Sequence, residues 1–184
     1  MPDSADFHIL LPHPLTPAPM IRAVEAGITV LAEGSLVFHY RVRGDMARVR
    51  VPEPAFVAER HDALWEHTCF EAFIGREGDA AYREFNFSPS GRWAAHDFGG
   101  YRQRLDDPPL ATPCVRTRST EGRLELEAVV PLSSLPGGAA WEIGLSAVVE
   151  ALDLVDDGLS YWALRHPSRR PDFHLREGFV LRHP

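Results

Sequence analysis

The sequence predicts an all-β fold, an antiparallel β-sandwich of jelly-roll type with only short helical turns. Three observations predict it. Two stretches alternate with a period of two, 16 prolines and 14 glycines are spread through the 184 residues, and turn-forming residues recur between short apolar runs. A period of two is what a half-buried strand requires, because successive side chains leave opposite faces of a sheet. Prolines this frequent leave little room for long helices.

The first alternation, over 35–43, sets Leu36, Phe38, Tyr40 and Val42 against Val37, His39, Arg41 and Arg43. The second, over 123–130, sets Leu124, Leu126, Ala128 and Val130 against Arg123, Glu125, Glu127 and Val129. Further strands are expected over 7–11, 27–33, 47–51, 67–75, 81–88, 92–98, 114–119, 141–151, 159–164 and 178–182. Turn chemistry separates them at Glu33-Gly34-Ser35, Arg43-Gly44-Asp45, Arg76-Glu77-Gly78-Asp79, Ser88-Pro89-Ser90-Gly91, Glu121-Gly122 and Asp156-Asp157-Gly158. Helical turns are expected only around 55–63 and 132–135, and 1–26 reads as a mostly irregular N-terminal segment. The stretch 99–113 reads as a long surface loop of the kind that carries binding residues. No repeat or linker divides the chain, so one domain over 1–184 is expected.

Composition narrows the function. Hydrophobic residues at 45% and charged residues at 24% can build a core, which argues against wholesale disorder. A net charge of −7, with scattered arginines and no lysine, lacks the clustered basic surface a nucleic acid needs. No apolar run suits a membrane span, and the opening residues lack the basic and apolar regions of a signal peptide. A cytoplasmic location is therefore expected. Cys69 and Cys114 are too few for a disulfide framework, although a single bridge between them stays open.

Chemistry concentrates in 64–101 and 160–174. In the first region parity puts Thr68, Phe70, Ala72 and Ile74 on an apolar face, with Cys69, Glu71 and Phe73 opposite. If the next strand pairs with this one as a hairpin, Tyr82, Glu84, Asn86 and Ser88 share the face of Glu71. Two carboxylates, an amide and a hydroxyl near Trp65, Trp93 and Tyr101 suit a sugar, whose C–H faces stack on rings and whose hydroxyls need polar partners. The plainer alternative is the solvated outer face of an antiparallel sheet. In the second region Trp162 offers a platform, Arg165 a clamp and His166 a further polar group. There the alternative is a structural loop whose tryptophan packs in the core.

Catalytic and metal chemistry find less support. His166, Asp172 and His174 lack close ligand spacing, and neither CxxC nor HExxH occurs, so no metal site is expected. Haem ligation through His67, His96, His166, His174, Met1, Met20 or Met46 has no attachment motif behind it. Glu71 and Glu84 could act as a hydrolytic acid/base pair, but no nucleophile motif accompanies them, and Cys69 beside His67 lacks a third orienting group. No catalytic residue is assigned.

The central run Leu64-Trp65-x-x-Thr68-Cys69-Phe70-Glu71-x-Phe73-Ile74, followed by Tyr82-x-Glu84-Phe85-Asn86-Phe87-Ser88-Pro89-Ser90-Gly91-x-Trp93, resembles the bacterial DOMON-like domain family. That family is related to the family-nine carbohydrate-binding modules. Gly144–Glu150, Tyr161–Pro167 and Pro171–His174 fit the same pattern, so the resemblance spans roughly 28–181. It implies a β-sandwich that binds a sugar or haem in a pocket on one sheet. It further implies that a saccharide is held between aromatic rings and polar side chains, parts open here to Trp65, Glu71, Asn86 and Trp162. The expectation is a non-catalytic domain for a small saccharide or similar polar metabolite, with a haem-binding domain or a carboxylate hydrolase or lyase as alternatives.

Overall fold

The structure, a computed structural model, describes residues 6–138, 140–152 and 158–183. Along them run β1 (Asp6–Pro12), β2 (Ile21–Val30), β3 (Leu36–Gly44), β4 (Cys69–Arg76), β5 (Tyr82–Phe87), β6 (Trp93–Phe98), β7 (Cys114–Thr120), β8 (Arg123–Val130), β9 (Trp141–Glu150), β10 (Leu159–Ala163) and β11 (Leu181–His183). The helical elements among the described residues are four single 3-10 turns, at Met46–Arg48, Leu64–Glu66, Leu132–Ser134 and Arg176–Gly178. The fold is an all-β antiparallel sandwich.

The strands follow the order β6-β5-β4-β9-β10-β1-β2-β3-β8-β7, with β11 continuing the edge of β9 beyond β10. β1 is the hinge of this path. Its residues Asp6–Leu10 pair with β2, whereas Leu11 and Pro12 pair with Ala163 and Trp162 of β10. The chain thus folds into a first sheet (β1, β2, β3, β8, β7) and a second (β6, β5, β4, β9, β10, β11), packed face to face.

The alternations do the sorting. Leu36, Phe38, Tyr40 and Val42 meet Leu124, Leu126, Ala128 and Val130 across β3 and β8, and all are buried. From the second sheet Phe70, Ala72, Ile74, Phe85, Phe87, Ile143, Leu145 and Ala147 fill the same core. Burial of this apolar surface is the main favourable contribution to folding. One polar link crosses the core: the Tyr40 hydroxyl donates to the Glu71 carbonyl at 2.7 Å.

Three local expectations need correction. The segment 1–26 is not irregular where it is described, because β1 spans Asp6–Pro12 and β2 already begins at Ile21. A register shift between Ile21 and Ala23 breaks the alternation there, so the early part of β2 carries no clean period. Residues 47–51 are not a strand: the Asp45 carboxylate accepts the Ala47 amide and opens a 3-10 turn. Residues 55–63 form no helical turn but an extended strap, whose Glu59 carbonyl and His61 amide bond to Trp93 at the edge of β6. Asp156 and Asp157 of one expected turn lie outside the described residues. Cys69 is buried, Cys114 is exposed, and both are free thiols.

The second sheet carries a smaller apolar cluster on its outer face, where Phe73, Tyr82, Phe98 and Phe179 pack together. Gly144 makes the close approach possible, since a Cβ there would sit 2.9 Å from Phe179 Cδ1. Gly144→Ala should therefore lower stability by about 1–2 kcal/mol through overpacking, read as a lower denaturant midpoint.

Candidate ligand-binding site

Register places the chemistry. Across the second sheet, Tyr161, Val148 and Cys69 stand in one outward row, Ser146, Glu71, Asn86 and Ala94 in the next, and Gly144, Phe73, Glu84 and His96 in a third. These rows floor a cavity of about 380 Å3. Trp65 from the 3-10 turn before β4, Arg102 and Arg104 from the loop after β6, and Pro171–His174 from the loop after β10 wall it.

Glu71 and Glu84 are only 3% and 5% exposed. The Asn86 amide donates to Glu84 Oε1 at 2.7 Å, and the Ser146 hydroxyl donates to Glu71 Oε2 at 3.4 Å. Burial pushes the Glu71 carboxyl well above the usual range, and the neighbouring Glu84 charge pushes it further. Burial also raises Glu84, against the pull of its bond from Asn86. Two such groups cannot both ionise cheaply, so the floor favours protonation more than an isolated pair would.

The walls are fixed by a continuous polar chain. Tyr101 donates its hydroxyl to Asp172 Oδ2 at 2.6 Å, and Arg102 Nη2 donates to Asp172 Oδ1 at 3.1 Å. Burial alone would raise the Asp172 carboxyl, but these bonds and the His174 amide hold it below its ordinary value. The Arg102 amide donates to the Tyr82 hydroxyl, which also pairs with His174 Nδ1 at 2.8 Å. Arg102 adopts a left-handed φ of 54° to reach these partners, a conformation uncommon outside glycine and typical of residues held by their surroundings. His174 Nε2 lies 3.9 Å from Glu84. Burial, reinforced by the Arg102 charge, lowers the His174 pKa to about 4, so the ring is neutral at ordinary pH.

Beside the cavity mouth, Asp62, His96 and Asp107 bring potential ligand atoms within 4.8 Å of one another. Arg104 Nη2 lies 3.1 Å from Asp107 and 3.6 Å from Asp62, so a guanidinium already supplies the positive charge between them. Asp107 pairs with His96 Nδ1 at 3.0 Å, while the buried Nε2 of the same ring has no hydrogen-bond partner.

Solved structures that resemble the chain include two that cover most of it. A protein of Bacteroides uniformis to which carbohydrate binding has been ascribed superposes with a TM-score of 0.64 over 96% of this chain and 84% of its own, at 20% identity. A family-nine carbohydrate-binding module of Caldicellulosiruptor kristjanssonii, solved with cellotriose, gives 0.53 over 87% of this chain and 72% of its own, at 11% identity. What they share with it is the fold. No family model and no curated protein matches the chain.

The expected site residues divide by strand parity. Glu71, Glu84 and Trp65 line the cavity, and Asn86 braces Glu84 from behind. Tyr101 stands at the rim, exposed, and secures the Asp172 wall. Trp93 and Trp162 do not reach the cavity. They lie in the row of Phe87, Phe70 and Ala147, which faces the core, and Trp162 donates its indole N–H to Ser160. The ring of β10 that faces the cavity is Tyr161, one residue earlier. Arg165 lines a separate shallow recess with Phe73 and Gly144, and His166 donates to the Leu11 carbonyl at 2.8 Å.

Arg102, Arg104 and Phe173 are not among the expected binding residues, His96 enters only as a haem candidate, and Asp172 and His174 belong to the 160–174 cluster from which a pocket rim is expected. Parity could have found His96, since Trp93 and Ala95 face inward on the same strand. The loop residues carry no period that would place them. Of the haem candidates, His96 and His174 line the cavity, Met20 and Met46 are buried in the core, and His67 pairs with Glu150. Met1 lies outside the described residues. A floor of two buried carboxyls does not suit the apolar faces of a haem macrocycle.

The lowered His174 pKa has a pH signature. A depressed folded-state pKa contributes stability above the ordinary value of 6.5, and that contribution is lost as pH falls towards about 4. Glu71 and Glu84 act in the opposite sense, because raised carboxyl pKa values favour the fold at low pH. The difference between the native protein and a His174→Gln variant isolates the histidine. Over pH 6.5 to 4 the native protein should lose on the order of 2 kcal/mol relative to the variant, measured by chemical denaturation at each pH.

Proposed function

We propose that the chain is a non-catalytic binding domain for a small saccharide or similar polar metabolite, held on the outer face of the second sheet. One observation carries this reading. A cavity of about 380 Å3 combines a buried hydrogen-bonding floor with flat apolar walls, and the Trp65 indole stands 39% exposed at its side. A sugar needs both elements, rings for its C–H faces and fixed polar groups for its hydroxyls. Glu71, Glu84, His96 and Arg102 supply the polar groups, while Trp65 and Tyr161 supply the rings. The fold shared with a module solved with cellotriose supports the same reading, as does the motif resemblance to DOMON-like domains.

Tryptophan emission tests it. Trp93, Trp141 and Trp162 are 4%, 9% and 5% exposed, which leaves Trp65 as the indole a ligand can stack on. Titration with a panel of mono- and oligosaccharides should shift the emission of the native protein and leave that of Trp65→Phe nearly unchanged. Trp65→Ala should weaken binding by about tenfold, in line with the loss of one stacked ring. No response to any saccharide by fluorescence and calorimetry would refute the proposal.

A further inference from the structure

The cavity floor has an electrostatic imbalance. The guanidinium of Arg102 is engaged by Asp172, and that of Arg104 by Asp107 and Asp62. Among the described residues, the side chains that donate hydrogen bonds to the Glu71 and Glu84 carboxyls are neutral, Ser146 and Asn86. Among the described residues, the basic group in ion-pair range of Glu84 is His174 at 3.9 Å, and burial keeps that ring neutral. Among the described residues, the two buried carboxyls thus have no charged cation in ion-pair range, and Arg102, committed to Asp172, acts on them only at longer range, an arrangement that is costly unless a proton or a ligand compensates it.

Their spacing leaves room for a ligand. Glu71 stands opposite Asn86, and Glu84 opposite Phe73, so the two acids are diagonal neighbours across β4 and β5. Diagonal positions of an antiparallel pair lie roughly 7–8 Å apart, which lets one small cation hydrogen-bond to both carboxyls. A second, independent feature of the same cavity also points to a ligand. Trp65, 39% exposed, lines the same cavity as the two acids and offers a ring face to a ligand.

We propose that the cavity takes an amino sugar, with the ligand's primary ammonium seated between the carboxyls of Glu71 and Glu84. This rests on the saccharide reading above and names its chemical class. An organic ammonium fits better than a metal ion. Among the described residues, the potential metal ligands gather at Asp62, His96 and Asp107, and neither Glu71 nor Glu84 belongs to that group. An ammonium needs only two or three acceptors, whereas a hard divalent cation needs six or more oxygens. Proton balance follows directly. Burial favours protonation of the empty floor, and an ammonium arriving in its charged form favours release of that proton to solvent. A neutral sugar displaces none.

Calorimetry on the full chain near pH 6.5 tests the proposal with glucosamine, galactosamine and mannosamine against glucose, galactose, mannose and N-acetylglucosamine. At least one amine should bind about tenfold or more tightly than its parent sugar. Its binding enthalpy should change with the ionisation enthalpy of the buffer, reporting a released proton. Glu84→Gln keeps an acceptor for Asn86 but removes the charge, and should bring the amine and its parent within about twofold of each other. If parent sugars bind as tightly as the amines, with no proton released, the amine proposal fails and the saccharide reading stands. If calcium or magnesium binds at the floor and excludes the amines, a metal site replaces the proposal. If no sugar of either kind binds, both readings fall.

Discussion

Two carboxyl groups lie buried on the outward face of a sheet, and much of the surrounding architecture is what that arrangement requires. An antiparallel sheet in a sandwich ordinarily turns a polar, hydrated face to solvent. Here the outward face of the second sheet is covered by the loops after β6 and β10, so the acids that parity directs outward are enclosed rather than solvated. Enclosure raises their pKa values, and each then accepts from a neutral donor, Glu71 from Ser146 across the sheet and Glu84 from Asn86 along its own strand. The floor is polar yet buried. In such surroundings each hydrogen bond counts for more, and each unmet one costs more.

The covering loops are held by the same economy of partners. Phe73, Tyr82, Phe98 and Phe179 form an apolar footing on the outer face, and His174 packs edge-on against Phe73 and Phe98 with centroids 5.2 and 5.0 Å away. From that footing Tyr82, His174, Arg102, Asp172 and Tyr101 run as one hydrogen-bonded chain across the mouth. The left-handed backbone at Arg102 belongs to this chain, since it lets the residue contribute both its amide and its guanidinium. The cavity is therefore largely preformed. A preformed site spends little of its binding energy on ordering the protein.

How far the sequence discloses this depends on whether a residue obeys a period. The alternations over 35–43 and 123–130 coincide with β3 and β8 almost to the residue, because each strand has one buried and one half-exposed face. The same logic placed Glu71, Glu84 and Asn86 together on one face. It faltered in β2, where a register shift hides the alternation, and at 47–51, where a carboxylate cap converts the chain into a 3-10 turn. The walls stayed hidden for a different reason. Arg102, Asp172 and His174 reach the cavity through loop geometry fixed by long-range hydrogen bonds, which no local pattern encodes.

The tryptophans show what is lost when composition is weighed without parity. Trp93 and Trp162 look like stacking platforms because indoles are rare and sit in segments rich in polar groups. Both stand in the row of Phe70 and Phe87, so a sheet that buries those phenylalanines must bury these indoles as well. One residue along β10, the ring on the other face is Tyr161, which brings a phenol rather than an indole to the cavity. Two of the rings that line the cavity are then of unequal area, with Trp65 on a short turn and Tyr161 on a strand. Stacking area alone gives such a pair less grip than two indoles would have. Under the proposed function the polar floor carries more of the recognition, and its pair of buried acids is the part of that floor best able to discriminate between ligands.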